Sequence, residues 1–282
     1  MNKTAEPASI RQLLAQATGL LTTDSAQLDA EVLLAHALGQ ARSHLRAWPE
    51  KIPSAEQQQS FQRLLQARRQ GEPVAYLTGQ REFWSLPLAV TPATLIPRPE
   101  TETLVALALE RIPADSHAVI ADLGTGSGAI ALAIAHERPG CQLLATDVSV
   151  AAIETASANA KQLGIENIEF LCGDWCTPLE ARQFDVIVSN PPYIKNSDPH
   201  LQQGDVRFEP HTALAAGPQG MDDLTRIAHC ARQHLRTGGW LLMEHGYLQR
   251  DAVTQLLVTC GFSHVVDHQD DTGIDRVVVG KH

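Results

Sequence analysis

The sequence predicts an α/β protein, a Rossmann-like sheet preceded by a small helical domain, and three observations lead there. Val119-Ile-Ala-Asp-Leu-Gly-Thr-Gly-Ser-Gly128 runs straight into Ala129-Ile-Ala-Leu-Ala-Ile-Ala135, which reads as strand, glycine turn and alanine-rich helix. Further strand-like apolar runs recur near 142–147, 167–172, 184–190, 239–245, 263–268 and 275–280. Upstream, from Ser9 to about Gln70, residues such as Leu13, Leu20, Leu28, Leu33, Phe61 and Leu65 keep helical intervals, broken near Gly39 and between Pro49 and Pro53. The intervening stretch Glu82 to Val90 reads as a hairpin, followed by Leu95-Ile-Pro-Arg-Pro-Glu-Thr-Glu102.

The glycine turn carries the first chemistry. Gly124, Gly126 and Gly128 permit positive φ and close approach of backbone to a ligand, with Thr125 and Ser127 between them, and the helix start beyond favours a negative group such as a carboxylate. The spacing G-x-G-x-G departs from the G-x-G-x-x-G of dinucleotide-binding loops, which favours a smaller nucleoside cofactor over a pyrophosphate. The next strand ends in Asp147, placed to accept both hydroxyls of a ribose, and the one after it ends in Asp174 and Trp175, an acceptor and an aromatic surface suited to adenine. Together these describe S-adenosylmethionine. Plainer readings exist, since Asp147 could cap the helix that starts near Ser149 and Trp175 could be ordinary core. The shared position at the carboxyl ends of successive strands, where open α/β sheets bind ligands, favours the cofactor.

The second chemistry lies in Phe184-Asp-Val-Ile-Val-Ser-Asn-Pro-Pro-Tyr193, a buried strand with a rigid polar mouth. Pro191 and Pro192 fix φ and remove two N–H donors, so nearby carbonyls stay free to accept. The Asn190 side-chain oxygen, the Pro191 carbonyl and the Tyr193 ring suit a planar NH2 group. A strand-terminating loop is the plainer reading.

Composition narrows the function class. Apolar residues make up 44% of the 282, and no apolar run reaches the roughly eighteen needed to span a bilayer. Met1-Asn-Lys-Thr-Ala-Glu6 lacks the features of a secretory signal, so a cytoplasmic protein without membrane partners is expected. Cys141, Cys172, Cys176, Cys230 and Cys260, odd in number and scattered, are expected to be reduced thiols, and no metal site is expected. Net charge is −10, split as +1 over residues 1–100 and −11 over 101–282, which argues against a phosphate-gripping surface and direct nucleic-acid binding. Arg63, Arg68 and Arg69 are expected on a solvated face.

Five blocks together carry a family resemblance: Gly71-Glu-Pro-Val-Ala-Tyr-Leu-Thr-Gly79, Leu95 to Glu102, Asp122 to Gly128, Asn190 to Tyr193, and Gly204-Asp-Val-Arg-Phe-Glu-Pro210. The chain resembles the PrmC (HemK) family, whose members methylate the side-chain amide nitrogen of a glutamine in peptide chain release factors. The resemblance implies a class I methyltransferase sheet of seven strands, the last antiparallel. It implies a helical release-factor-recognition domain at 1–78, a hairpin linker at 79–100 and an S-adenosylmethionine-dependent domain at 101–282. It further implies class 1 release factors as partners, their Gly-Gly-Gln glutamine as substrate, and S-adenosylhomocysteine as product. By position, Gly124 to Gly128, Asp147, Trp175 and Asn190 would bind the cofactor, and Asn190, Pro191, Pro192 and Tyr193 the glutamine. Arg98 and Glu100 to Glu102 would shape the pocket or tie the linker by a salt bridge. Two other readings remain at this point: an adenine-N6 methyltransferase acting on a flipped base, and a non-catalytic cofactor-binding module.

Overall fold

In the computed structural model, which describes residues 8–282, the chain divides into two units between Gly79 and Gln80. Residues Met1 to Glu6, read above as lacking a secretory signal, lie outside the described residues.

The first unit is helical: α1 (Ile10–Leu20), α2 (Ala26–Leu38), α3 (Arg42–Ala47), α4 (Ala55–Arg69) and α5 (Val74–Thr78). Two capping boxes set its helix starts. Ser9 Oγ accepts from the Gln12 N–H while Gln12 Oε1 accepts from the Ser9 N–H, and Ser54 with Gln57 repeats the arrangement at α4. Each cap stabilises its helix by about 1 kcal/mol. Gly39, at φ 62°, ends α2 in the left-handed region. The core gathers Ile10, Leu13, Leu33, Leu34, Leu45, Phe61 and Leu65, the apolar positions whose spacing marked the helices. One expectation fails: Arg68 is buried, with its Nε 2.8 Å from Asp29 Oδ2. Arg63 and Arg69 are exposed. Asp29 also accepts from Thr23 and Ser25, so this buried charge pair is closed by further hydrogen bonds. The pairing joins residues 39 positions apart, which no local pattern encodes.

The second unit opens with a hairpin, β1 (Gln80–Phe83) and β2 (Leu86–Ala89), turned by Trp84 and Ser85 at φ 52° and 59°. Phe83, Leu86 and Leu88 are buried in the same core as the main sheet, so the hairpin belongs to this unit. Then follow α6 (Glu102–Arg111), β3 (Val119–Leu123), α7 (Ala129–Glu137), β4 (Gln142–Asp147), α8 (Val150–Leu163), β5 (Ile168–Cys172), β6 (Phe184–Ser189), α9 (Asp222–His234), β7 (Leu235–Glu244), α10 (Arg250–Thr259), β8 (Ser263–Gln269) and β9 (Asp275–Lys281). The seven-stranded sheet has order β5-β4-β3-β6-β7-β9-β8, with β9 antiparallel to both its neighbours. This is the mixed α/β sheet that the sequence predicts. Strand β7 starts at Leu235 rather than near 239, across an irregular register between Phe184 and Val186. Its two faces are covered separately, by Leu104, Leu132 and Ile134 on one side and by Leu224, Ile227, Val253 and Leu257 on the other. The chain winds outward from β3 to β5 and then crosses back to β6, so the strand order reverses between β3 and β6. Such a reversal opens a crevice at the carboxyl ends of the two strands, and both sequence motifs lie there.

Cys176 and Cys230 form a disulfide, contrary to the expected reduced thiols, while Cys141, Cys172 and Cys260 are free. The bonded pair is 54 positions apart and meets only because α9 packs under the loop that follows β5. No helix among the described residues is long and apolar enough to cross a membrane.

Candidate active site

A cavity of about 340 Å³ occupies the crevice, within the range of sites for small organic ligands. Gly124 to Ser127, Asp147, Asp174, Trp175, Asn190 and Pro192 line it. Gly128, Pro191 and Tyr193 do not: they stand behind the wall.

The floor is the turn after β3. The N–H groups of Gly124 and Thr125 both donate to the Thr146 carbonyl, at 2.8 and 2.9 Å, which ties the turn to β4. Gly124 has φ 76°, and a Cβ there would come within 2.9 Å of the Trp175 ring, so this position requires glycine on two counts. Gly128 serves packing instead, since a Cβ there would press on Leu132 and Ala156 where α7 meets α8. Beneath the turn lies Asp122, fully buried, with Oδ2 accepting from Thr125 Oγ1 at 2.6 Å and from the Ala131 N–H at 3.2 Å. Its Oδ1 has no partner among the described residues. Burial pushes its pKa up to about 7, against those two hydrogen bonds.

Asp147 ends β4 with one bond to each oxygen: Ser149 N–H donates to Oδ1 and Gly126 N–H to Oδ2, both at 2.9 Å. A carboxylate has about four acceptor directions, so acceptor capacity is left toward the cavity. Burial raises its pKa as well. The helix-capping role falls to Ser149, whose hydroxyl accepts from the Ala152 N–H. Trp175, at φ 46°, lays its ring against Gly124 and donates from Nε1 to Asp223 Oδ1 at 3.2 Å. The Asp174 carboxylate is paired with Arg226 of α9, so part of the acceptor expected there is already engaged.

The opposite wall follows β6. Asn190 Nδ2 donates to Thr101 Oγ1 at 3.1 Å, Thr101 Oγ1 donates to Glu244 Oε2 at 2.7 Å, and Tyr193 OH donates to Glu244 Oε1 at 3.0 Å. Asn190 Oδ1 has no hydrogen-bond partner among the described residues. Glu244 is fully buried, which raises its pKa, and burial beside Glu244 raises that of the Tyr193 phenol. Tyr193 is therefore a neutral donor whose hydroxyl turns inward. Arg98 pairs with the buried Glu209, which also accepts from the Ile96 N–H at 3.0 Å. That bridge clips the Leu95 to Glu102 block onto the Gly204 to Pro210 block, and Pro97, Arg98, Thr101 and Pro210 all reach the cavity wall. Sequence reasoning took in Thr101 only as part of the span Glu100 to Glu102, and missed Glu209, Asp223, Arg226 and Glu244. Thr101 and Glu209 sit inside blocks singled out for other reasons, whereas Glu244 has only its place at the end of an apolar strand.

The residues suit S-adenosylmethionine on features of this chain: a glycine turn too tight for a side chain at Gly124, and at Asp147 an acid with open acceptor capacity.

Comparison with known proteins extends this geometry. Residues 11–79 match the PrmC N-terminal domain and residues 101–205 the methyltransferase small domain. The release factor glutamine methyltransferase of Aliivibrio fischeri is 49% identical over 277 residues, covering 97% of each chain. That of Escherichia coli is 49% identical over 273 residues, again 97% of each. Among solved structures, the 16S rRNA N2 G1207 methyltransferase of T. thermophilus, in complex with AdoMet and guanosine, aligns at a TM-score of 0.54 with 18% identity. It covers 72% of this chain and 49% of that one, and shows a shared fold. With half of its residues shared along almost the whole length of such relatives, and both domain models matched in order, the chain belongs to the release factor glutamine methyltransferase family.

Proposed function

We propose that this protein transfers a methyl group from S-adenosylmethionine to the side-chain amide nitrogen of the Gly-Gly-Gln glutamine in class 1 peptide chain release factors, modulating translation termination in the cytoplasm. The observation that carries the reading is Asn190: it lines the cavity with its Nδ2 donated to Thr101, so Oδ1 is the end of the amide left to accept. A glutamine NH2 needs acceptors, because its nitrogen is a weak neutral nucleophile whose plane must be fixed before it can attack.

Bound S-adenosylmethionine supplies an already activated methyl group. The protein's own task is placement. Asp147 would hold the ribose hydroxyls and Trp175 would border the adenine; the N–H groups of Gly124, Thr125, Gly126 and Gly128 are taken within the chain, so the helix start beyond the turn would be what favours the carboxylate. Asn190 Oδ1 accepts an amide N–H bond and draws electron density onto nitrogen, whereas the Pro191 carbonyl, expected to take the second, belongs to a residue that does not line the cavity. Pro192 keeps the mouth rigid, and Tyr193 holds the motif from behind through its hydroxyl. Orientation of this kind accounts for most of a methyl-transfer rate, together with exclusion of water. The helical unit helps to hold the release factor, and the second unit carries the chemistry.

Incubation with labelled cofactor and either a release factor or duplex DNA tests the reading. Label is expected on the release factor, at the glutamine. Label on adenine, or on neither, overturns it.

A further inference from the structure

We infer that Thr101 and Glu244 are positioning residues that fix the polarity of the Asn190 amide, so that the cavity meets an acceptor and not a donor. The inference rests on the reading of this site as an amide-nitrogen methyltransferase.

A carboxamide has nearly the same shape when its oxygen and its NH2 are exchanged, so packing alone does not choose between them. The two orientations have opposite consequences. With Oδ1 toward the cavity, Asn190 accepts from a substrate NH2; with Nδ2 there, it opposes donor to donor. Nothing within Asn190-Pro-Pro-Tyr193 makes that choice. It is made at the far end of a three-link chain. Glu244 ends β7, fully buried, and its two oxygens take Tyr193 OH at 3.0 Å and Thr101 Oγ1 at 2.7 Å. Thr101 Oγ1 donates to Glu244 Oε2, so the single Thr101 hydroxyl proton is committed to Glu244. Thr101 then offers Asn190 a lone pair, which takes Nδ2 and turns Oδ1 outward. Burial, with the Glu100 charge, raises the Glu244 pKa against the opposing pull of the donors Thr101 and Tyr193 and the Arg276 charge. The order of polarity is fixed from the buried acid to the reacting centre, through residues 143 and 89 positions apart in sequence.

Glu244→Gln reverses the chain while conserving shape. Its NH2 donates to Thr101 Oγ1, the Thr101 proton turns to Asn190 Oδ1, and Nδ2 faces the cavity. Thr101→Val removes the link and Thr101→Ser keeps it. The test is single-turnover and steady-state methylation of a release factor by the full chain. Glu244→Gln and Thr101→Val are expected to lower kcat on the order of a hundredfold, with unchanged KM for the release factor and Kd for S-adenosylmethionine in the folded enzyme; Thr101→Val, which strands a buried Glu244 oxygen, is also expected to lower Tm. Thr101→Ser is expected to keep most of the rate. Adding Asn190→Asp to Glu244→Gln is expected to recover part of the loss, because the carboxylate accepts from Thr101 with one oxygen and faces the substrate with the other. A purely structural role for Glu244 gives no such recovery. Wild-type kcat in Glu244→Gln and Thr101→Val, or a Thr101→Ser enzyme as slow as Thr101→Val, overturns the inference and leaves the methyltransferase reading intact. If Glu244→Gln does not fold, the two Thr101 variants decide alone. A wild-type enzyme that leaves the glutamine unmodified overturns both.

Discussion

The Gly126 N–H donates to Asp147 Oδ2 at 2.9 Å, joining the turn after β3 to the acid that ends β4 across 21 positions of sequence. The two features that suggest a nucleoside cofactor are thus one preformed unit. Asp147→Ala is expected to weaken S-adenosylmethionine binding by about 1.5–3 kcal/mol, the scale of hydrogen bonds to a charged acceptor. Calorimetry measures this directly. An unchanged Kd removes Asp147 from the ribose site.

Asp122 gives a pH signature. Its folded-state pKa, about 7, lies above the ordinary carboxyl value it has in the unfolded chain because burial disfavours its charge. Between those values the folded protein binds more protons than the unfolded one, so this group's contribution to stability is present at low pH and is lost as pH rises toward 7. Asp122→Asn keeps an acceptor for Thr125 and Ala131 and removes the titration. Urea unfolding is expected to give similar stabilities for the two proteins near about pH 4 and a variant more stable by a few kcal/mol near about pH 8. The reverse slope contradicts the assignment.

In the helical unit, Arg68→Ala strands the buried Asp29 carboxylate. A loss of about 3–5 kcal/mol in unfolding free energy is expected. Replacing both partners, Arg68→Met with Asp29→Leu, is expected to restore most of it. Denaturant titration of the two variants checks the claim, and a benign single variant shows that the pair is not a closed internal contact.

Deleting residues 1–79 removes the helical unit and leaves every cofactor-site residue in place. Cofactor affinity is expected to survive while methylation of the intact release factor falls. A folded truncated protein that works at the normal rate rules out recognition by the helices.

How much of this could be read in advance depends on how local the signal is. The glycine turn, Asp147 and the Asn190 motif were legible because each is a strand end with its chemistry attached; the seven strands and the antiparallel last one came from the family resemblance, not from the run of strands. Their partners were not. Asn190 is fixed by Thr101 and Glu244, Trp175 by Asp223, and Arg98 by Glu209, all pairings that only the folded sheet brings together. The hairpin was legible at Glu82 to Val90, but its turn residues were hidden for a different reason. Two-residue turns with positive φ favour Asn-Gly, whereas Trp84-Ser85 is held in that shape by Glu102, which accepts from the Trp84 N–H at 2.8 Å, and by Glu137, which accepts from its indole at 2.9 Å. Composition misled at Arg68, where a basic cluster conceals a buried pair, and at Cys176 and Cys230, where scattered cysteines meet across α9.

The central claim is that Asn190 holds a glutamine amide in line for methyl transfer, and single-turnover reaction with a release factor at saturating cofactor tests it most directly. Intact-mass and peptide analysis are expected to find one added methyl on the Gly-Gly-Gln glutamine with the wild-type enzyme. With Asn190→Ala, folded and still binding cofactor, the rate is expected to fall on the order of a hundredfold or more. A folded Asn190→Ala enzyme that methylates the glutamine at the wild-type rate contradicts the amide clamp and the assignment of Asn190 to Tyr193 as the substrate site.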